Sequence, residues 1–165
     1  MDPSRRHFLH QVLRTGVAVG AALVVAPWVQ AGEKIMNWLT VTDEEWKTRL
    51  TPAQYHVLRA HGTERPHTSP LNAEKRAGVY HCAGCALPLF SSATKYESGT
   101  GWPSFYEPLK DAVGTQEDKS WWATRTEVHC ARCKGHLGHV FPDGPPPTGL
   151  RYCMNGVALS FVPTP

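Results

Sequence analysis

The sequence predicts a mainly β domain that carries two short helices at its amino end. Glycine and proline together account for 28 residues (14 of each), which is typical of a chain with many turns. After residue 78 the apolar runs are short, turn residues separate them, and no helical period of useful length recurs. The 165 residues suit one ordinary domain, and a domain of that size buries a core without staples.

Residues 1–31 are expected to be an export signal and not part of the fold. Paired Arg5 and Arg6 precede an uncharged run over 15–32, inside which the small Ala31 offers a cleavage site. The string SRRHFL resembles the twin-arginine export motif. An ordinary signal or an uncleaved anchor are the competing interpretations, but the run contains proline and glutamine and is marginal in length for a bilayer span. We therefore expect a periplasmic or otherwise exported protein without a stable membrane anchor.

Bulk charge argues against a nucleic-acid partner. Removal of residues 1–31 takes away three arginines and one aspartate, so the net charge falls from +3 to about +1 (14 basic minus 13 acidic). The chain lacks the basic patch with interleaved aromatic residues that nucleic-acid binding needs.

Two capped helices are predicted at the start of the domain. Thr42 can cap the first, and Glu45 can close a capping box with it. The second is expected to begin at Thr51, with Pro52 at the first helical position, where proline is tolerated. Gly62 is expected to end it.

The remaining organisation follows from short strands. A linker is predicted over 32–41 and the domain over 42–165. Within the domain, composition predicts a loop over 63–78, and period and composition predict strands over 79–82, 121–124, 127–130, 138–141, 150–154 and 158–162.

Four of the five cysteines form two Cys-x-x-Cys pairs. Cys82 and Cys85 lie in YHCAGC, Cys130 and Cys133 lie in VHCARC, and 44 residues separate the pairs. Four thiolates with this internal spacing suit one tetrahedral zinc ion, which would clamp two distant hairpins and leave no position for a substrate.

Other uses of these cysteines stay open. Export favours disulfides, although a bridge within one Cys-x-x-Cys closes only a tiny loop. A redox-active pair usually opens a helix, whereas Cys85 is followed by Ala-Leu-Pro. Iron bound by four thiolates is a further alternative.

The fifth cysteine, Cys153, lies in the strand-like stretch RYCMNG. Strand alternation places it on one face with Arg151 and Asn155. A guanidinium beside a thiol favours the reactive thiolate, and an asparagine can hold a polar oxygen. The alternative is a small buried apolar residue, which describes most lone cysteines.

Candidate partners for Cys153 lie in two other segments. The segment KGHLGHVFPDG holds His136 and His139, which resemble exposed acid–base groups between glycines. The alternative that they bind zinc is weaker, because four cysteines already complete the zinc site. His139 and Phe141 are expected to share a strand face. Trp102 and Phe141 either wall an apolar pocket or are plain core aromatic residues.

Together the motifs CAGC, SGTGWPSF, CARC, GHLGHVFPDGP and RYCMNG resemble those of the methionine-R-sulfoxide reductase B family, over about residues 42–162. The resemblance implies an antiparallel β-sandwich or barrel with amino-terminal helices and a zinc clamp. It also implies reduction of the R epimer of methionine sulfoxide, free or within proteins.

The resemblance implies a role for each candidate residue. Cys153 would attack the sulfoxide sulfur and be left as a sulfenic acid. The polar ring around the sulfoxide would consist of His136, His139 and Asn155, with His139 the expected proton donor. Arg151 would support the cysteine.

The segment SGTGWPSF contains Trp102, a candidate substrate contact, and Thr100, which departs from the family pattern. Trp102 would pack on the terminal methyl group of the substrate. Many members carry a cysteine between the two glycines, which forms a disulfide with the nucleophile, whereas this chain has Thr100. We therefore expect a monomeric one-cysteine enzyme that acts on oxidised proteins or peptides, with an external small thiol or a thioredoxin-fold protein as reductant.

The alternative function is a non-enzymatic zinc-binding interaction module of related fold. Such a module would need neither Cys153 nor the two histidines of the GHLGH segment.

Overall fold

Two antiparallel sheets and two amino-terminal helices make up the part of the chain that the structure, a computed structural model, describes: residues 36–119 and 124–165. The predicted export signal lies outside these residues, as do the first four residues of the predicted linker and nearly all of the strand predicted over 121–124. Among the described residues no helix is long and apolar enough to cross a membrane.

Both predicted helices are confirmed, with their caps. Helix α1 spans Asp43–Arg49 and helix α2 spans Pro52–Leu58. Thr42 and Thr51 each form a capping box. The threonine hydroxyl accepts a hydrogen bond from the backbone amide three residues later, and the side chain of that later residue accepts one from the threonine amide. The expected end at Gly62 is wrong: α2 stops at Leu58, and the Gly62 amide donates to the carbonyl of His56 at 2.8 Å.

Nine strands follow within the described residues, and short 3₁₀ turns lie between some of them. The strands are β1 (Gly78–Cys82), β2 (Pro88–Ser91), β3 (Lys95–Tyr96), β4 (Ser104–Phe105), β5 (Val113–Asp118), β6 (Arg125–Cys130), β7 (His136–Phe141), β8 (Arg151–Met154) and β9 (Leu159–Pro163). The 3₁₀ turns are Pro70–Asn72, Ser92–Thr94 and Gly156–Ala158.

The strands form one sheet of three in the order β2-β1-β9 and one of six in the order β3-β4-β8-β7-β6-β5. Every pairing is antiparallel, as the resemblance implied. Strands β2 to β5 were not among the predicted ones. Two of them are only two residues long, and β5 reads VGTQED, which is too polar to show an apolar alternation.

Aromatic side chains from the two sheets meet in the core. The ring of Tyr80 on β1 meets Phe105 on β4 edge-on, with centroids 4.9 Å apart, and Phe90 on β2 stacks on Phe105 at 4.4 Å. All three are fully buried. Rings of this size supply a large share of the apolar area that stabilises the pairing of the sheets.

Candidate active site and metal centre

One row of directly paired residues runs across five strands of the larger sheet. The register pairs Gln116 with Glu127, Glu127 with His139, His139 with Cys153, and Cys153 with Ser104. Residues that face each other across antiparallel strands point to the same side of the sheet. The backbone register therefore delivers an amide, a carboxylate, an imidazole, a thiol and a hydroxyl to one surface.

Cys153 opens into a cavity of about 110 Å³. Its thiol is only partly buried, unlike the four other cysteines, which are buried. The interpretation of Cys153 as a buried apolar residue is therefore wrong. The cavity is lined by Thr63, Trp102, Arg125, Gly138, His139, Phe141, Cys153 and Asn155.

His139 stands between Cys153 and a carboxylate. Its Nε2 lies 2.8 Å from Asp118 Oδ2 at the end of β5. The imidazole also lines a wider polar cleft of about 500 Å³, which shares Thr63 and Arg125 with the Cys153 cavity. His139 thus connects the cavity with solvent-accessible polar groups, which is a suitable position for a group that delivers a proton.

His136 is placed behind His139 and not in the Cys153 cavity. Its ring centroid lies 5.4 Å from that of His139, and its Nδ1 lies 2.6 Å from Glu127 Oε1. Burial lowers the pKa of His136 despite the nearby carboxylate. Burial by itself would raise the pKa of Glu127, but hydrogen bonds from His136 and Gln116 lower it overall. Burial thus favours the neutral form of the His136 imidazole, whose Nδ1 faces the buried Glu127 carboxylate.

Asn155 lines the cavity, but the backbone already engages its amide. Asn155 Oδ1 accepts from the Glu64 amide at 3.0 Å, and Nδ2 donates to the Leu137 carbonyl at 3.0 Å. The carboxylate of Glu64 in turn accepts from the amides of Gly156 and Val157, at 2.5 and 3.0 Å. This exchange anchors the turn that follows Cys153.

Arg151 shares a fork-shaped ion pair with Asp143. Its Nε and Nη2 donate to the two carboxylate oxygens, each at 2.8 Å, and its guanidinium lies 4.4 Å from the ring centroid of Phe141. The Asp143 carboxylate is the main reason that the pKa of Arg151 is raised, while burial opposes the rise and Cys153 adds to it. Arg151 is thus a fixed positive charge beside the thiol.

Trp102 and Thr100 complete the surroundings of Cys153. Trp102 Nε1 donates to the Glu64 carbonyl at 3.2 Å, which fixes the indole over the cavity. The hydroxyl of Thr100 lies 3.7 Å from Cys153 Sγ. The position between the two glycines is therefore within contact of the nucleophile candidate, although its side chain is a hydroxyl.

The four remaining cysteines form one buried cluster that joins the two sheets. Their sulfur atoms all lie within 4.8 Å of one another. Two of the separations are 3.7 Å (Cys82 to Cys133) and 3.5 Å (Cys85 to Cys130). A disulfide requires roughly 2 Å, whereas thiolates around a tetrahedral zinc ion lie roughly 3.8 Å apart. The residues fit a metal ion and not a pair of disulfides.

Both Cys-x-x-Cys segments adopt the same turn. The amides of Ala86 and Lys134 donate to the carbonyls of Cys82 and Cys130, at 2.8 and 3.0 Å. Both Ala86 and Lys134 have a positive φ of 58°. Because each first cysteine ends a strand and the turn curls the second cysteine back, each segment presents two sulfurs to one point.

Several residues at the site were missed by sequence reasoning. These are Glu64, Asp118, Glu127, Asp143, Ser98 and Ser104, which hold the candidate residues in place. An isolated carboxylate or hydroxyl in a polar stretch gives no pattern in the sequence, and the burial of Glu127 and Ser104 is visible only in the structure.

Comparison with known proteins agrees with the motifs. The SelR domain matches residues 50–163 of this chain. The chain is 59% identical over 129 residues to a protein of Pseudomonas putida strain W619 named peptide methionine sulfoxide reductase MsrB, covering 78% of this chain and 97% of that protein. Proteins of the same name from Pseudomonas savastanoi and Agrobacterium fabrum are 60% and 56% identical, over 78% and 74% of this chain and 98% and 91% of their own lengths. The chain therefore belongs to the methionine sulfoxide reductase B family.

Proposed function

We propose that this protein is an oxidoreductase that reduces methionine sulfoxide in oxidised peptides and proteins, with selectivity for the R epimer. The observation that carries the proposal is the cavity in which the accessible Cys153 thiol meets His139 beneath Trp102 and Phe141. The names of the similar proteins support the reaction class. Free methionine sulfoxide is a second substrate of the same chemistry.

The proposed chemical step is a transfer of oxygen from one sulfur to another. The Cys153 thiolate attacks the sulfoxide sulfur, and His139 donates a proton to the sulfoxide oxygen. Attack forms a transient sulfur–sulfur bond; that bond and the sulfur–oxygen bond of the substrate then break as the oxygen bonds to Cys153, giving methionine and a Cys153 sulfenic acid. Two electrons pass from the cysteine sulfur to the methionine sulfur, and one proton is taken from the imidazole.

Epimer selection would follow from the two unlike walls of the cavity. Trp102 and Phe141 offer apolar surface to the methyl group, whereas His139 and Asn155 offer polar groups to the oxygen. The opposite epimer would direct its oxygen at the aromatic rings and leave buried polar groups unpaired, which discriminates strongly. His136 would act one layer back, through its contact with His139.

Reduction of the sulfenic acid is proposed to need an external thiol. Thr100 stands at the position of the second cysteine in other family members, and its hydroxyl cannot form a disulfide. The other four cysteines are buried in their own cluster. A small thiol or a thioredoxin-fold protein would condense with the sulfenic acid, release water, and leave a mixed disulfide that a second thiol reduces.

Cys82, Cys85, Cys130 and Cys133 are proposed to hold one structural zinc ion. Zinc supplies no chemistry to the sulfoxide here; its role when bound is to crosslink the two sheets through four thiolates. We propose further that residues 1–31 direct export to the periplasm, that the catalytic domain spans 42–165, and that it acts as a monomer. The SRRHFL motif supports the export proposal.

Turnover of a mixed-epimer methionine sulfoxide peptide tests the proposed function. The peptide is incubated with the protein and either dithiothreitol or a thioredoxin, and the epimers are separated by chromatography. Only the R epimer is expected to disappear, and the Cys153→Ser variant is expected to be inactive while it keeps its metal and its fold. Equal loss of both epimers would sink the proposed selectivity, and activity in Cys153→Ser would sink the mechanism.

The same experiment separates the enzyme from a metal-stabilised interaction module. Such a module would show no turnover with either reductant. An intramolecular disulfide to Cys153 in oxidised, metal-loaded protein, detected by mass spectrometry, would overturn the one-cysteine proposal.

A further inference from the structure

Three hydroxyl groups form a continuous chain that ends on the Cys153 sulfur. Thr100 Oγ1 lies 3.7 Å from Cys153 Sγ and 2.9 Å from Ser98 Oγ. Ser98 Oγ in turn lies 2.7 Å from Ser104 Oγ. At the far end Ser104 Oγ donates to the carbonyl of Trp102 at 3.2 Å. The chain therefore joins a reactive sulfur to a backbone acceptor.

Every link of this chain can be satisfied when Cys153 is a neutral thiol. A hydroxyl supplies one proton and two lone pairs, so it donates once and still accepts. The thiol then donates to Thr100, Thr100 to Ser98, Ser98 to Ser104, and Ser104 to the Trp102 carbonyl.

The same atoms satisfy a thiolate if the first two hydroxyls rotate. Thr100 then donates to the sulfur, and Ser98 donates to Thr100. Ser104 either keeps its hydrogen bond to the Trp102 carbonyl or donates to Ser98 instead. The Thr100 amide, 3.5 Å from Ser98 Oγ, donates to Ser98 in both arrangements. No side chain has to move, because only hydroxyl protons change place.

We propose that Thr100 is a catalytic residue whose hydroxyl donates a hydrogen bond to the Cys153 thiolate, and that the hydrogen bond between Thr100 and Ser98 reverses to make this possible. The residue that replaces a thiol at this position thus takes part in activating the nucleophile. The proposal concerns the ionisation of Cys153 and rests on the proposed function only for its effect on turnover.

Charged and titratable groups from the neighbouring strands also act on Cys153. They are Arg151 on the same strand, His139 on β7, Arg125 on β6 and Tyr96 on β3. Substitutions at Thr100 leave all of them in place, so a change in the ionisation of Cys153 can be assigned to the hydroxyl.

The test is the pH dependence of Cys153 alkylation by iodoacetamide, followed on the Cys153 peptide by mass spectrometry in the full chain. Thr100→Val keeps the shape and removes the hydroxyl. It is expected to slow alkylation of Cys153 at acidic pH, because the thiolate loses a hydrogen bond that stabilises it by about 1.5 kcal/mol. The alkylation rate on the acidic side of the titration then falls about ten-fold.

Three further variants make the outcome decisive. Thr100→Ser is expected to restore the wild-type titration, Ser98→Ala to shift it in the same direction by less, and Thr115→Val on the exposed side of β5 to leave it unchanged. An unchanged pH dependence of alkylation in Thr100→Val, or an equal change in Thr100→Ser, would overturn the proposal. If Thr100→Val fails to fold, Ser98→Ala alone decides, because it breaks the chain without touching Thr100.

These readouts do not depend on a sulfoxide substrate. A shifted titration with no turnover in any variant would support the hydroxyl chain and contradict the proposed function. Turnover of the sulfoxide with no change in the pH dependence of alkylation would support the proposed function and contradict the hydroxyl chain.

Discussion

At the residue scale, the environment of each candidate decides what it can do. Cys153 differs from the other four cysteines in exposure, and His139 differs from His136 in facing the Cys153 cavity. The residue types and their motifs were readable from the sequence. The carboxylates that hold the histidines were not, because Asp118 lies 21 residues from His139 and Glu127 nine from His136, and each meets its histidine through strand pairing.

Trp102 is predicted to supply the apolar wall against which the substrate methyl packs. Trp102→Ala is expected to lower kcat/KM by about 10- to 100-fold, the range for loss of a small apolar contact in a specific pocket. Trp102→Phe keeps an aromatic ring but loses the hydrogen bond to the Glu64 carbonyl, so a loss within about five-fold is expected. Steady-state kinetics on the R epimer check this, and equal losses in both variants would assign the role to the hydrogen bond.

His136 is predicted to make the protein less stable on mild acidification. Burial lowers its pKa in the fold, so the unfolded chain takes up a proton below about pH 6.5 that the folded chain does not. The free energy of unfolding then falls with pH by at most about 1.4 kcal/mol per unit.

His136→Asn removes this titration and keeps a donor towards Glu127. Urea unfolding between pH 7 and 5, with zinc in every buffer, is expected to show a flatter pH dependence for the variant than for the wild type. Parallel curves would contradict the assignment to His136. Glu127, whose pKa is also lowered, contributes stability that is lost at more acid pH and leaves this window unaffected.

At the scale of elements, strand register sets the active site. The short β3 and β4 and the polar β5 carry no apolar period, so the sequence did not predict them. Yet β4 and β5 supply Ser104 and Gln116 to the row of paired residues, and β5 ends at Asp118. The turn after β8 is anchored by Glu64, which lies in a segment that composition identifies only as loop.

Gly138 is predicted to be essential for the close pairing of β7 with β8. A Cβ at this position would lie 2.1 Å from the Cys153 carbonyl oxygen and 3.0 Å from Met154 Cα. Gly138→Ala is therefore expected to force the strands apart, to destabilise the fold by about 2–3 kcal/mol and to lower Cys153 reactivity.

Gly84→Ala is the matched control, since its Cβ would meet its nearest neighbour, the Trp46 ring, at 3.4 Å. Urea unfolding and iodoacetamide kinetics measure both effects. Wild-type stability in Gly138→Ala would show that the strands have more freedom than their register suggests.

At the scale of the whole molecule, the cysteine cluster joins the two sheets at one end. One pair of ligands belongs to the end of β1 in the smaller sheet, and the other to the end of β6 in the larger sheet. Arginine side chains support the two turns as well: Arg132 of the second turn donates to the Cys85 carbonyl of the first at 3.0 Å, and Arg59 at the end of α2 donates to the Cys133 carbonyl at 3.1 Å. A metal ion here would crosslink residues far apart in sequence.

Loss of the metal is predicted to destabilise the whole domain and not only its neighbourhood. Structural zinc contributes on the order of 10 kcal/mol, which is comparable with the total stability of a domain. Cys85→Ser is expected to reduce bound zinc from about one ion per chain and to lower Tm by more than about 10 °C.

Cys153→Ser is the matched control and is expected to retain both zinc and Tm. Elemental analysis and calorimetry give the two readouts. A Cys85→Ser variant with wild-type Tm would show that the cluster is not a structural clamp.

The sequence by itself determined the mainly β class, both helix caps, the four-cysteine cluster and the chemical types at the active site. Each of these depends on contacts between near neighbours in sequence or on residues whose spacing is chemically restrictive. Only the tertiary structure decided that His139 and not His136 lines the Cys153 cavity, that Asn155 is engaged by Glu64 and Leu137, and that Thr100 contacts the thiol directly and is followed by two serine hydroxyls. Those relations follow from antiparallel register, and register depends on packing between strands whose own sequences are too short or too polar to indicate their partners.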